Sequence, residues 1–464
     1  MSASLPILPA ETLGNYAEPK VSWLWTLESR VKDSHALSSM LAITDQALIS
    51  GTNFVTAVII GRCCGAETLG LFALIASAMA MTIGIQDQLI TAPYVLYHNR
   101  RHGLNLQKYT GSVLLHHCVF IVIVTLGMLA CLVGVKDSGE TVRVVTLILL
   151  IGTPAILLRT FIREISLAHC NVLTVVAVDA AVCVTRLVAV VALLSIDQVN
   201  LPVLYAVLGI SCLITAAVWM IRNRSVFVFD KRAAIMSWFR SWRFGRWAMA
   251  THLAGTSTPY MMPWVLFVMH GESATGFLAS CSVIVGVCNI LLAGMCDFVN
   301  PRSAAAYAKG GIVALRKIQR SMLLLSVMTI GSVCVVSAFF GEQIINKLYD
   351  NQFPGAGGMV TWLTFSVLAN AIGMSAGSGL WAIDRPRANF TTDMVTLVVA
   401  VIAAFTLVGP YAAPGAAMAT FAASFAGAIC RSHLPAGDLS ACRAQTGSRS
   451  SVRGIRCWGR DHQA

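Results

Sequence analysis

Residues 198–221, between Asp197 and Arg222, contain no Asp, Glu, Lys or Arg, and neither do residues 247–271, between Arg246 and Glu272. A helix on the surface of a water-soluble protein keeps one polar face. Runs of this length and purity therefore direct the chain into a bilayer, where about 20 apolar residues make one crossing. Reading the whole sequence for that length gives twelve crossings, near 40–61, 70–96, 110–135, 144–165, 171–195, 202–221, 247–269, 273–297, 320–340, 358–382, 389–408 and 412–430. Lipid offers backbone groups no partner, so such crossings are helices. Of the 464 residues, 12% are charged, against roughly 25% in soluble domains. That is too few to cover a wet surface. The expected fold class is an all-α polytopic membrane protein with about twelve transmembrane helices.

The formal net charge of +12 has two competing explanations. A nucleic-acid partner would need Lys and Arg clustered on a folded soluble domain. Orientation in a membrane would instead need them in alternate loops. The cations follow the second pattern: 28 of the 33 Lys and Arg lie in the N-terminal segment, in the loops after even-numbered crossings, or in the tail. The largest group is Arg222, Arg224, Lys231, Arg232, Arg240, Arg243 and Arg246. The other side has Arg62, Lys136, Arg143 and Lys347, and Arg186 lies within a crossing. The pattern excludes nucleic acid and predicts that both termini are cytoplasmic. No cleavable secretory signal is expected, because the first apolar stretch begins near residue 38 without a small-residue cleavage site. Residues 21–38 suit either an amphipathic helix on the inner leaflet or a disordered lead-in.

The seven-cation segment divides the chain evenly. The expected organisation is a cytoplasmic segment (1–38), an N-lobe of six spans (39–222), a basic linker (223–246), a C-lobe of six spans (247–430) and a disordered cytoplasmic tail (431–464). Six is even, so the lobes enter the membrane in the same sense and form parallel repeats. At an offset of 206, GAETLGLFA (65–73) aligns with GESATGFLA (271–279), matching Gly65, Gly70 and Ala73 to Gly271, Gly276 and Ala279.

The run Thr44–Ser77 resembles the opening of polysaccharide flippases of the multidrug/oligosaccharidyl-lipid/polysaccharide exporter superfamily. The matching features are Asp45-Gln46, Asn53-Phe54, Arg62, the glycines Gly65 and Gly70, and Phe72-Ala73. Leu157–Cys170, with its paired arginines, resembles the end of that family's fourth span. The turn LYDNQFPGAGG and Gly415–Ala417 resemble later parts. The likeness covers about residues 38–430. It implies a bacterial inner-membrane flippase for a polyprenyl-pyrophosphate-linked oligosaccharide (an O-antigen or lipopolysaccharide precursor). It also implies alternating access, coupling to H+ or Na+, and a polysaccharide polymerase as a possible partner.

No Walker loop or H-E-x-x-H motif occurs, so neither an enzyme nor a cofactor is expected. No cysteine spacing suggests a metal site or a disulfide framework. Function is sought instead in ionisable residues within spans, each costing at least ~2.5–3.5 kcal/mol at mid-helix. Asp45, Asp87 and Asp179 all lie some ~8–13 Å from the inner surface at 1.5 Å per residue. Such a layer suits ion coupling, since a cation relieves the repulsion between carboxylates; the alternative is helix-end acids wetted by headgroups or paired with loop arginines. Arg186 follows Asp179 by two turns, and its planar guanidinium suits a phosphate group; the alternative is snorkelling to the outer interface. Arg159 and Arg163, four apart on one helical face, are candidates to receive a pyrophosphate at the cytoplasmic mouth, against simple positive-inside anchoring. His116, His117, His252 and Asp393 are read as packing. Two rival functions remain: a multidrug/cation antiporter of the same superfamily, which would want an acidic cavity, and a non-transporting scaffold or degenerate copy.

Overall fold

A computed structural model describes residues 35–98, 101–134, 140–196, 200–383 and 386–448 of the chain. The segment 1–34, including most of the candidate amphipathic helix, lies outside the described residues, as do Arg100, Lys136, Arg385 and residues 449–464. Among the described residues the chain is helical apart from short turns, with nine helical runs long and apolar enough to cross a membrane. Two of the helices are too long to be single crossings. His35–Gln86 has 52 residues and Lys231–Tyr349 has 119, or ~78 and ~180 Å if straight, against an apolar layer of ~30 Å.

Single residues break these two runs and a third, Gly409–Ser448. Non-helical backbone occurs at Gly65 and Gly271, at Gly311, and at Ala412. The chain reverses at three of these points. Thr275 Oγ1 lies 3.5 Å from the carbonyl oxygen of Pro263 across Gly271, although twelve residues of straight helix span ~18 Å. A Cβ on Gly61 would lie 3.0 Å from Leu69 across Gly65, and one on Gly415 would lie 2.1 Å from the Leu407 carbonyl across Ala412. With these breaks the described residues form twelve long helices: α1 (35–64), α2 (66–98), α3 Gly103–Gly134, α4 Glu140–Ala168, α5 Val172–Ser195, α6 Leu201–Arg222, α7 (231–270), α8 (272–310), α9 (312–349), α10 Gly357–Ala382, α11 (386–411) and α12 (413–448). α1–α6 form the N-lobe and α7–α12 the C-lobe.

The aligned glycines are equivalent in space. Gly65 (φ 82°, ψ −175°) and Gly271 (φ 80°, ψ −169°) share a conformation that only a residue without Cβ adopts readily. Their partners pack reciprocally. A Cβ on Gly70 would fall 2.1 Å from the carbonyl oxygen of Glu272, and one on Gly276 would fall 1.9 Å from that of Ala66. No real Cβ tolerates such distances, so glycine is what lets the backbones meet. Ala66 and Glu272 are themselves related by the same offset, so the lobes touch through one patch used twice, as around a two-fold axis.

Toward the opposite end the lobes meet again. His252 occupies the space where Gly84 would carry a side chain, and Gly245 approaches the backbone of Gln88 and Leu89. Between these ends Trp264 Nε1 donates to Ser77 Oγ at 2.9 Å. The linker is short: residues 223–230 connect α6 to α7, and 231–246 already belong to α7. Asp230 caps α7 by accepting from the backbone N–H groups of Arg232 and Ala233, as N-cap acids do. It also receives Lys108 Nζ at 3.0 Å.

On the outer surface Val122, Ile123, Leu126 and Val133 of α3 stand more than half exposed, which suits lipid and not water. The helix α12 continues past Arg431 to Ser448, where the sequence predicts a disordered tail. Extending an existing helix fixes one residue per added bond, whereas starting a new one fixes several, so the apolar pattern underestimates where this helix stops.

Candidate functional site

The N-lobe and α8 enclose a cavity of about 890 Å³. Its walls come from α1 (Asn53, Phe54), α2 (Phe72, Met79), α4 (Arg159), α5 (Arg186), α6 (Tyr205, Cys212) and α8 (Val283, Ile290). Most of the lining is apolar. Arg159 and Arg186 carry the only formal charges among the lining residues, and both are positive.

Arg186 donates from Nη1 to Asn53 Oδ1 at 2.6 Å, and its guanidinium carbon lies 5.8 Å from the centre of the Phe72 ring. Among the described residues no carboxylate is within ion-pairing distance of Arg186, and its Nε, removed from solvent, has no hydrogen-bond partner. A neutral amide and a ring face are weak compensation for a full positive charge. The group remains available to an anion.

Arg159 has a different setting. Its Nη2 donates to Asp179 Oδ1, and its Nε is buried without a partner. Asp179 is fully buried, and its other oxygen accepts from Arg163 Nε at 2.9 Å. Arg163 also donates from Nη2 to Asp45 Oδ2 at 2.9 Å and from Nη1 to Glu164 Oε1 at 3.0 Å. One guanidinium therefore ties α1, α4 and α5 together, a use for which its fixed fork is suited. Arg163 is not among the cavity-lining residues. Asp45 is 2% exposed and its Oδ1 has no partner.

The sequence assigns the acids and the arginines different functional roles and offers their pairing only as the alternative; the structure brings Asp45 and Asp179 together with Arg159 and Arg163 in one cluster beside the cavity. Asp179 and Arg186, two turns apart on α5, reach α1 in two rungs. The lower rung links Asp179 to Asp45 through Arg163, and the upper links Arg186 to Asn53. Asp87 stays apart. It lies in a one-turn π-helix, Asp87–Thr91, where Thr91 Oγ1 donates to its Oδ1 at 3.2 Å. A bulge of this type inside an α-helix is frequent at functional sites.

Asn53 and Glu164 have roles that no single-residue argument from sequence provides. The signal was present for Asn53, because an amide inside an apolar run has to find a partner. In the C-lobe Asp393 pairs with Arg431. His117 is fully buried against Phe161, with ring centres 4.3 Å apart and no hydrogen-bond partner for either nitrogen.

No protein-family model matches this chain, and no curated protein matches it by sequence. Solved structures do match. Lipid II flippase MurJ in an inward closed conformation superposes with a TM-score of 0.70 at 14% identity, covering 91% of this chain and 94% of that one. A multidrug resistance MATE family transporter of the MOP superfamily, inward-facing, gives 0.70 at 15% identity over 88% and 96%. A MOP superfamily transporter from Pyrococcus furiosus, described as having a binding pocket of reverse polarity, gives 0.58 at 14% identity over 88% and 95%. Alignment over nearly the whole of each chain shows that this protein has the fold of the MOP-superfamily membrane transporters.

Proposed function

We propose that this protein is a bacterial inner-membrane transporter that flips a polyprenyl-diphosphate-linked oligosaccharide or polysaccharide precursor by alternating access. The observation that carries the reading is Arg186, a cation facing an 890 Å³ cavity with only a neutral side chain as partner. A diphosphate satisfies a guanidinium through paired hydrogen bonds, and Arg159 on the same wall supplies a second fork. The lipid tail would stay in the bilayer while the head group occupies the cavity. In this reading the basic loops and both termini face the cytoplasm.

Coupling to H+ or Na+ is assigned to the buried acids Asp45 and Asp179, with Asp87 nearby. Arg163 holds Asp45 and Asp179 together. A multidrug/cation antiporter is disfavoured, because a cationic substrate would meet two arginines and no acid among the cavity-lining residues. The chemistry is binding and release with no covalent step.

Deletion of the gene tests the reading. The expected result is lipid-linked glycan accumulating at the cytoplasmic face, cleared by the full-length protein and not by Arg186→Ala. Absence of accumulation contradicts the flippase reading, and points to a scaffold or degenerate copy.

A further inference from the structure

Two arginines line the cavity, and one acid stands behind them. Arg163 is committed, with three of its nitrogens each occupied by a different carboxylate. Arg159 has one acid partner, a buried Nε without any, and a place on the cavity wall. Asp179 has a cation on each oxygen. If Arg159 turned away, Asp179 would still be paired with Arg163, so the move would not strand a buried charge. Arg159 and Arg186 are also within electrostatic reach of each other, so an anion between them relieves repulsion as well as gaining partners.

We propose that Asp179 is a built-in competitor of the substrate's anionic group. It holds Arg159 at the cavity edge, and an entering diphosphate takes Arg159 from it while Arg186 holds the other side. The inference rests on the diphosphate reading above and adds the element that sets its affinity. Asp179 keeps the cavity from binding the head group too tightly to release it, and Arg163 keeps Asp179 in place during the exchange. Arg159 is thus the exchangeable contact and Arg163 a positioning residue.

The test uses the full-length chain in lipid nanodiscs with farnesyl diphosphate as the probe. Asp179→Asn retains the shape and removes the competitor, so Kd falls by ~10-fold, a change of the size that close charge pairs produce. In an Arg159→Ala background the same substitution changes Kd less than about two-fold, because the residue competed for is gone. A measurement on the wild-type pair keeps the inference testable if Asp179→Asn does not fold. Adding farnesyl diphosphate changes a carboxylate stretching band in the infrared difference spectrum, and Arg159→Ala abolishes that change. Binding with no tightening in Asp179→Asn, or with no Arg159-dependent carboxylate band, overturns the exchange alone. No binding of farnesyl diphosphate to the wild-type chain overturns the diphosphate reading, and the exchange with it.

Discussion

The two lobes share a fold and a pair of glycine turns, yet their buried charges differ. In the N-lobe two arginines and three acids from α1, α4 and α5 form one cluster beside the cavity. In the C-lobe Asp393 pairs with Arg431 between α11 and α12. The backbone repeats while the charges do not. The glycines answer to a packing requirement that both halves face where they meet. The cavity beside the charges is built mainly from the N-lobe, and under the proposed function the charges serve its ligand. On that reading the comparison separates what maintains the architecture from what would perform the transport.

The largest expected effect lies at the hub of the N-lobe. Arg163→Ala leaves Asp45 and Glu164 without their cation and Asp179 with only Arg159. A buried pair broken in this way costs about 3–5 kcal/mol, read as a large fall in thermal stability in detergent. Arg431→Ala in the C-lobe breaks one pair, at an acid less fully buried than Asp45 or Asp179, and costs about 1–3 kcal/mol. Equal losses would remove the contrast between the lobes.

The glycines sharpen the other half of the comparison. Gly70→Ala and Gly276→Ala each force a methyl group against a carbonyl across the lobe contact, at about 1–3 kcal/mol of overpacking. Because the two contacts are related by the two-fold axis, their effects on stability should agree closely. A substitution tolerated on one side alone would show that the axis does not govern the contact.

The smallest effect lies outside the membrane. Lys108 beside Asp230 holds that carboxyl below the usual carboxylate range, helped by the backbone N–H of Ala233. A depressed value means the contact stabilises above the unfolded carboxylate's pKa, ~4, and that this contribution is lost as pH falls through the lower folded value. Asp230→Asn should therefore leave a thermal stability profile that differs from the wild type near neutrality and converges with it in acid.

Much of the fold was legible from single features of the sequence. Charge-free runs bounded by cations gave the spans, and the Gly65/Gly271 alignment gave the repeat that the backbone angles bear out. Partnership was less accessible. Spacing puts Arg159 and Arg163 on one face and Asp179 two turns from Arg186. How each helix is rotated against its neighbours decides that Arg163 reaches Asp45 and Asp179 while Arg186 reaches Asn53 and the Phe72 ring. Those rotations come from packing between distant segments, which residue spacing does not encode. The end of α12 was hidden for another reason, since a helix once started continues through residues that would not start one.

The most direct test of the account is the rate at which purified protein, reconstituted in proteoliposomes, flips a fluorescent polyprenyl-diphosphate-linked oligosaccharide. The wild-type chain should move it across the bilayer. Arg186→Ala, folded and equally stable, should do so at less than about a tenth of that rate, as expected when a charged contact worth more than 1.4 kcal/mol is removed. Equal rates for the two proteins would contradict the assignment of Arg186 as the group that holds the substrate.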